Sequence, residues 1–179
     1  MDAIGGVTFD VPIDMDYEDS SQDLYIHLKA GEQLIDGAKA EQLLRFRHND
    51  DGSTYPSSYG QQDLGRMRTQ REFIIATLKQ TLKPQNIFKI KQIIDIMSEN
   101  VTTNMDIAEI KSYVPYAVNF NAENIQTGMV PGDVEMCNGV SLYIADKKDT
   151  AELVAKLFPT EEEEASNREN VETNSISKK

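Results

Sequence analysis

Apolar and polar positions alternate along the first part of the chain with the period of two that suits a half-buried strand. Val7, Phe9 and Val11 share one side of such a run, and Pro12 closes it at an end or an edge. The stretch Asp14-Met15-Asp16-Tyr17-Glu18-Asp19 reads as an acidic turn. Alternation resumes at Leu24, Ile26 and Leu28, so residues 7–28 are expected to form a hairpin or two adjacent strands. Gly31 and Gly37 punctuate the next segment. The period then changes, and residues 38–46 form a short helix with Ala40, Leu43 and Leu44 inward.

Residues 49–62 (NDDGSTYPSSYGQQ) make the longest polar loop. Asp63 stands where it can cap a long helix, which Pro84 stops after about residue 83. Its apolar stripe runs through Leu64, Met67, Ile75, Leu78 and Leu82. A second helix is expected over about residues 86–99, and a third over 105–113, capped by Thr103-Asn104. Residues 117–130 and 140–145 read as strands separated by Pro131-Gly132, and 150–158 as a closing helix. The domain expected from these elements covers residues 1–159, and mixed strands and helices make it an α/β layered fold. Residues 160–179, with four consecutive glutamates and a Ser/Asn-rich end, lack core-forming residues and read as a disordered acidic tail.

The net charge of −12 opposes general binding to nucleic acid or to an anionic membrane, since both reward clustered Lys and Arg. No apolar run approaches the roughly 18 residues of a membrane span. The abrupt start, Gly5-Gly6 feeding a strand almost at once after Met1, reads as a piece cut within a domain. Cys137 stands alone, so no internal disulfide and no cysteine-rich zinc cage is expected. Against the acidic background, five of the six arginines (Arg45, Arg47, Arg66, Arg68, Arg71) crowd into one net-positive window.

Arg45 and Arg47 flank Phe46, and in extended chain residues two apart point to one side. Two guanidiniums there call for an anion. On the long helix, Asp63, Arg66 and Gln70 are spaced i, i+3, i+7 and fall within roughly 60° of one another, beside the apolar stripe. Arginine offers planar paired donors to phosphate, glutamine an amide hydrogen bond, and Asp63 can hold an arginine or contact a metal. Two readings stand at this level. The arginines either converge on an anion such as a lipid-borne diphosphate, or form ordinary surface pairs such as Asp63–Arg66. The acids at 14–19 lack the sixth-position glycine of an EF-hand and read as a solvated turn. His48 is placed to orient a neighbour, to contact phosphate or to act as an acid/base, and His27 is structural. No phosphate-binding glycine loop or serine-nucleophile motif is present.

Several motifs occur in order. Asp2-Ala3-Ile4-Gly5-Gly6-Val7 resembles the D-x-x-G-G-V strand of LytR-CpsA-Psr domains. Gly31 to Gly37, Ala40 and Arg45-Phe46-Arg47-His48 are similar to the family's G-x-x-x-L-D-G…A…R-x-R-H segment. Asp63-Leu64-Gly65-Arg66…Gln70 looks like its D-x-G-R-x-x-x-Q helix start, and Pro131-Gly132 with Val140-Ser141-Leu142-Tyr143…Asp146 like its closing strand. The resemblance implies an α-β-α sandwich around a central mixed or mainly antiparallel sheet, incomplete at the N-terminal side, with an apolar pocket for a polyprenyl chain. It implies a phosphotransferase that attaches teichoic acid or capsular-type glycopolymers from undecaprenyl pyrophosphate to peptidoglycan, at the outer face of the bacterial membrane. The alternative is a non-catalytic polyprenyl-pyrophosphate-binding or regulatory module.

The site residues it implies are Arg45, Arg47, Arg66 and Gln70 for the pyrophosphate, with Asp63 and Arg66 at the reacting centre. A magnesium ion is implied as well, but its expected ligands lie on strands preceding the first matched motif, so no metal-binding residue is assigned. Membrane attachment is implied only through an N-terminal anchor outside this sequence. Where the family commonly has a second arginine three residues after the position of Arg66, this chain has Thr69, with Arg68 beside it.

Overall fold

The computed structural model describes residues 1–117, 120 and 122–160. It forms two compact units, Met1–Ile125 and Gln126–Lys179. The expected tail, from residue 161 on, lies outside the described residues.

The first unit begins with β1 (Val7–Val11), β2 (Met15–Asp19), β3 (Leu24–Leu28) and β4 (Gly31–Ile35), followed by α1 (Gly37–Arg45) and the long α2 (Asp63–Thr81). It ends with α3 (Ile90–Asn100), α4 (Ile107–Ser112) and α5 (Val114–Ala117). The second unit contains β5 (Gly132–Cys137), β6 (Val140–Ala145) and α6 (Lys147–Leu157). The α/β class and the antiparallel pairing are borne out. Among the described residues the strands form three two-stranded antiparallel sheets, β1 with β4, β2 with β3, and β5 with β6.

Period-two burial builds the core. Val7, Phe9 and Val11 are buried on β1, and Leu24, Ile26 and Leu28 on β3. Helix α1 turns Ala40 and Leu43 inward, as its spacing requires, and packs against β3 and α2. Asp36 caps it, accepting a hydrogen bond from the Lys39 backbone N–H at 2.9 Å. Helix α2 lies against β1, where Phe73 meets Phe9 edge-on with ring centres 5.3 Å apart.

Several expectations are corrected. Residues 15–19 are a strand rather than an acidic turn. Met15 is buried and Tyr17 half-buried, while Asp16 and Glu18 point outward and flank His27 across the hairpin, at 2.7 and 3.4 Å. The outward acids mask the inward alternation. The partner of β1 is therefore β4, which the two bounding glycines conceal. On α2 the buried line is Gly65, Thr69 and Phe73, spaced by four, while Met67 and Leu78 are 45% and 40% exposed. A stripe built on glycine and threonine is invisible to hydrophobicity. Gln62, not Asp63, precedes α2 as its cap residue, and it makes no side-chain capping bond.

Further along, residues 84–89 form a 3-10 turn before α3 begins. The next helix is capped by Asp106, in a reciprocal box with Glu109, rather than by Thr103-Asn104. No strand occupies 117–130 among the described residues; a 3-10 turn at Ala122–Asn124 lies within that stretch, and residues 118, 119 and 121 are outside the description. Strand β5 was hidden by its polar positions. Asn138 and Gly139, at φ 52° and 81°, supply the tight turn that pairs it with β6.

Candidate functional site

The arginine site starts from a buried ring. Phe46 ends α1 in extended conformation and is fully buried, so its neighbours Arg45 and Arg47 are turned outward on either side of it. Arg45 is the last residue of a helix rather than part of a strand end. The chain then runs along β2. Asn49 Oδ1 accepts from the Asp16 N–H at 2.7 Å, and the Asp50 carboxylate accepts from the Glu18 N–H at 3.2 Å. His48 Nδ1 lies 2.9 Å from the Asn49 carbonyl oxygen, which can only accept, so Nδ1 carries the proton and donates it there. Its ring meets Tyr17 edge-on at 5.2 Å.

Loop 49–62 is pinned by Tyr55, which is buried between Phe46 and Tyr59. Gly65 lets α2 close over this ring, since a Cβ there would stand 2.2 Å from Tyr55 and 2.3 Å from the Gly60 carbonyl oxygen. The Tyr55, Thr69 and Tyr59 hydroxyls form a hydrogen-bonded chain ending on Glu72. Burial pushes the Tyr55 hydroxyl up to about 12, against the hydrogen bond from Thr69, and Tyr59 shifts the same way for the same cause. Arg68 belongs to this cluster: it stacks 4.2 Å over the Tyr59 ring and pairs with Glu72 at 2.8 Å.

A groove of about 520 Å³ is lined by Tyr17, Gln22, Leu24, Leu44, Arg45, Arg47, His48, Arg66 and Gln70. The arginines expected from the two separate segments therefore line one cavity. Arg68 is not among its lining residues, and neither is Asp63. Asp63 instead forms an ion pair with Nη2 of Arg66, while Arg66 Nε is shielded from solvent with no hydrogen-bond partner, so the contact is one-armed rather than forked. Arg45 donates to Glu41 at 3.0 Å and to Gln22 Oε1 at 3.1 Å; Gln22 in turn donates to Asp19 at 2.6 Å. Hydrogen bonds from Ser21 and Gln22 hold the Asp19 carboxyl below its usual range. Gln70 donates to the Leu44 carbonyl at 2.8 Å, tying α2 to the end of α1.

Tyr17, Gln22, Leu24 and Leu44 are groove residues that sequence reasoning missed. Tyr17 was recoverable from its alternation with Met15. Gln22 carries no signal, because only the hairpin brings it beside Arg45. The expectation of arginines at an apolar rim is also corrected, since polar side chains dominate this groove. An apolar cavity of about 620 Å³ lies elsewhere in the first unit, lined by residues of α3, α4 and their connection, among them Ile94, Met97, Val101, Met105, Ile110 and Tyr113. The two cavities share no lining residue.

Among the described residues no three His, Cys, Asp or Glu side chains converge in a way that could hold a metal ion. Magnesium requires several oxygen ligands in near-octahedral geometry, and beside the groove Asp63 is already engaged by Arg66. The described residues do not fit that ion, and no step is derived through it. Among them, too, no helix is long and apolar enough to cross a membrane.

What fold and groove define is an α/β protein with an arginine-lined groove between the end of α1 and the start of α2. The LytR_cpsA_psr family profile matches residues 1–158, and the chain belongs to that family. It is 30% identical over 130 residues to the Bacillus subtilis polyisoprenyl-teichoic acid–peptidoglycan teichoic acid transferase TagV, a match covering 72% of this chain and 31% of that protein. It is 27% identical over 155 residues to biofilm regulatory protein A of Streptococcus mutans, covering 83% of this chain and 35% of the relative. The crystal structure of B. subtilis TagV superposes with a TM-score of 0.66 at 26% identity, over 88% of this chain and 57% of that one. The chain thus spans about a third of the length of these curated relatives.

Proposed function

We propose that this chain carries the diphosphate-gripping part of a cell-envelope transferase that moves a glycopolymer from a polyprenyl-pyrophosphate carrier onto peptidoglycan. The observation that carries the reading is the meeting of Arg45, Arg47 and Arg66 around one groove in a chain of net charge −12. The kinship with TagV, whose name states a teichoic acid transferase, supports it.

In such a transfer a peptidoglycan hydroxyl bonds to the phosphorus next to the glycan. The bridging P–O bond breaks, the lipid monophosphate leaves with the bond's electron pair, and the attacking hydroxyl gives up its proton to solvent or to the departing phosphate. Negative charge grows on the leaving oxygen, and fixed guanidiniums stabilise it without reorganising. Arg47 and Arg66 are the charges that face the diphosphate. Asp63 acts through Arg66, which it holds, and Gln70 keeps α2 against α1 so that both arginine segments share a wall. The apolar cavity by α3 and α4 offers a surface suited to a hydrocarbon tail. The site works at the outer face of the bacterial membrane.

The test is titration of geranylgeranyl pyrophosphate into the chain, wild type and Arg66→Ala. Hydrogen bonds to charged groups are worth about 1.5–3 kcal/mol, so loss of Arg66 weakens binding by roughly tenfold or more. Rising salt weakens it as well. Unchanged binding in a folded variant overturns the assignment. A second reading, a binding or regulatory module without turnover, is favoured by the likeness to a protein named as a biofilm regulator. Product formation from a lipid-linked glycan and peptidoglycan separates the two.

A further inference from the structure

The three groove arginines differ in what holds them. Arg45 is paired with Glu41 and Arg66 with Asp63, so each has a carboxylate against it before any ligand arrives. Arg47 has no carboxylate within ion-pair distance among the described residues. Its guanidinium donates from Nη2 to the side-chain oxygen of Gln62, at 3.4 Å. A neutral amide orients a guanidinium without cancelling its charge, so Arg47 presents a full positive charge at the groove.

That contact closes a ring. The Thr54 hydroxyl donates to the Arg47 carbonyl at 2.7 Å and accepts from the Gln62 backbone N–H at 3.0 Å. Gln62 then returns to Arg47 through its side chain. The hydroxyl must donate on one side and accept on the other, which serine and threonine do and valine cannot. Gln62 sits at φ 48°, a conformation that residues other than glycine rarely adopt. The ring supplies what holds it there, since α2 makes no side-chain cap at this residue. Beneath the ring, Tyr55 adjoins Thr54 and is buried under Gly65, so the loop is anchored independently of these polar contacts.

We propose that Thr54 and Gln62 are positioning residues that hold Arg47 clear of a carboxylate and aimed as the leading contact for a phosphate or diphosphate ligand. The proposal rests on the anion-site reading above. The groove thereby combines two arginines already paired with a carboxylate, Arg45 and Arg66, with one that is not, Arg47.

The experiment is a double-mutant cycle on the full 179-residue chain, with inorganic pyrophosphate and geranylgeranyl pyrophosphate as separate probes. The variants are Thr54→Val, Thr54→Ser, Gln62→Glu and Arg47→Ala, each checked for its thermal midpoint. Thr54→Val is expected to weaken binding of both probes by about three- to tenfold, and Thr54→Ser to restore it, because residues in one hydrogen-bond network couple. Gln62→Glu, which leaves the backbone bond intact and sets a carboxylate on Arg47, is expected to weaken binding by about tenfold, an effect that shrinks with salt. Both losses vanish in the Arg47→Ala background. A loss of equal size with and without Arg47 overturns the proposal, since a merely structural role would act alike in both. No loss in either Thr54→Val or Gln62→Glu overturns it too. If Thr54→Val does not fold, Gln62→Glu, at an exposed side chain, decides alone. Unchanged binding in Arg47→Ala itself overturns the anion-site reading beneath the proposal, whereas loss there without coupling to Thr54 and Gln62 overturns the proposal only.

Discussion

The β2–β3 and β5–β6 hairpins use nearly the same backbone pattern and come to opposite ends. Both are antiparallel, in register and closed by short turns. In β2–β3 every second residue of β3 is buried, and α1 covers that face. In β5–β6 no residue is buried, although Val134, Met136, Val140 and Leu142 are apolar. Helix α6, beside it in sequence, contributes no buried residue either. Backbone pairing and apolar alternation are thus enough to make a hairpin, but a core needs a second layer laid on it. The first unit is held by burial. The second is held by local bonds: the Asn138-Gly139 turn, the Asp146 cap, and the Tyr143 hydroxyl on the Val130 carbonyl at 2.8 Å.

That contrast is open to attack. The largest effect is expected from Phe46→Ala, which empties a fully buried site and should cost about 3–5 kcal/mol, whereas Leu142→Ala on exposed β6 should cost well under about 1 kcal/mol. Urea unfolding of the two variants measures this, and equal losses would abolish the distinction.

Next in size is an alkaline effect confined to the first unit. Tyr55 titrates near 12 when folded and near 10 when unfolded, so its contribution is whole below about pH 10 and is lost as pH rises to about 12. The shift corresponds to about 2–3 kcal/mol. Tyr55→Phe should flatten the fall of urea midpoint with pH over that interval. An unaltered slope would show that the hydroxyl is not held in a desolvated site.

The smallest change in energy is expected from Asp146→Ala, about 1 kcal/mol for a lost helix cap. Since none of the described residues of this unit is buried, the change should release protection from hydrogen exchange throughout α6 and leave α1 protected. If α6 stays as protected as α1, local bonds are not what hold the second unit.

The comparison also explains what could be read in advance. Strands β1 and β3 and helix α1 announce themselves because their inward residues are apolar and their outward ones are not. Strand β2 was misread because Asp16 and Glu18 outweigh Met15 and Tyr17 in any local average. The buried line of α2 was misplaced because Gly65 and Thr69 are chosen for smallness and for a hydroxyl, against a tyrosine that lies ten and fourteen residues earlier. In the groove, Arg45, Arg47, Arg66 and Gln70 were legible from their spacing and from the family motifs. Tyr17 and Gln22 were not, since they reach the cavity from another hairpin.

The family, the α/β class, most helices and the concentration of arginines in an acidic chain are written in the order of residues alone, because each follows from local spacing or from motifs in order. Which arginines share a groove, which is turned away onto Tyr59 and Glu72, and which has no carboxylate beside it among the described residues emerge from the packed fold. Those outcomes depend on distances between side chains far apart in the chain, and such distances are fixed by how the layers pack, which no local pattern records.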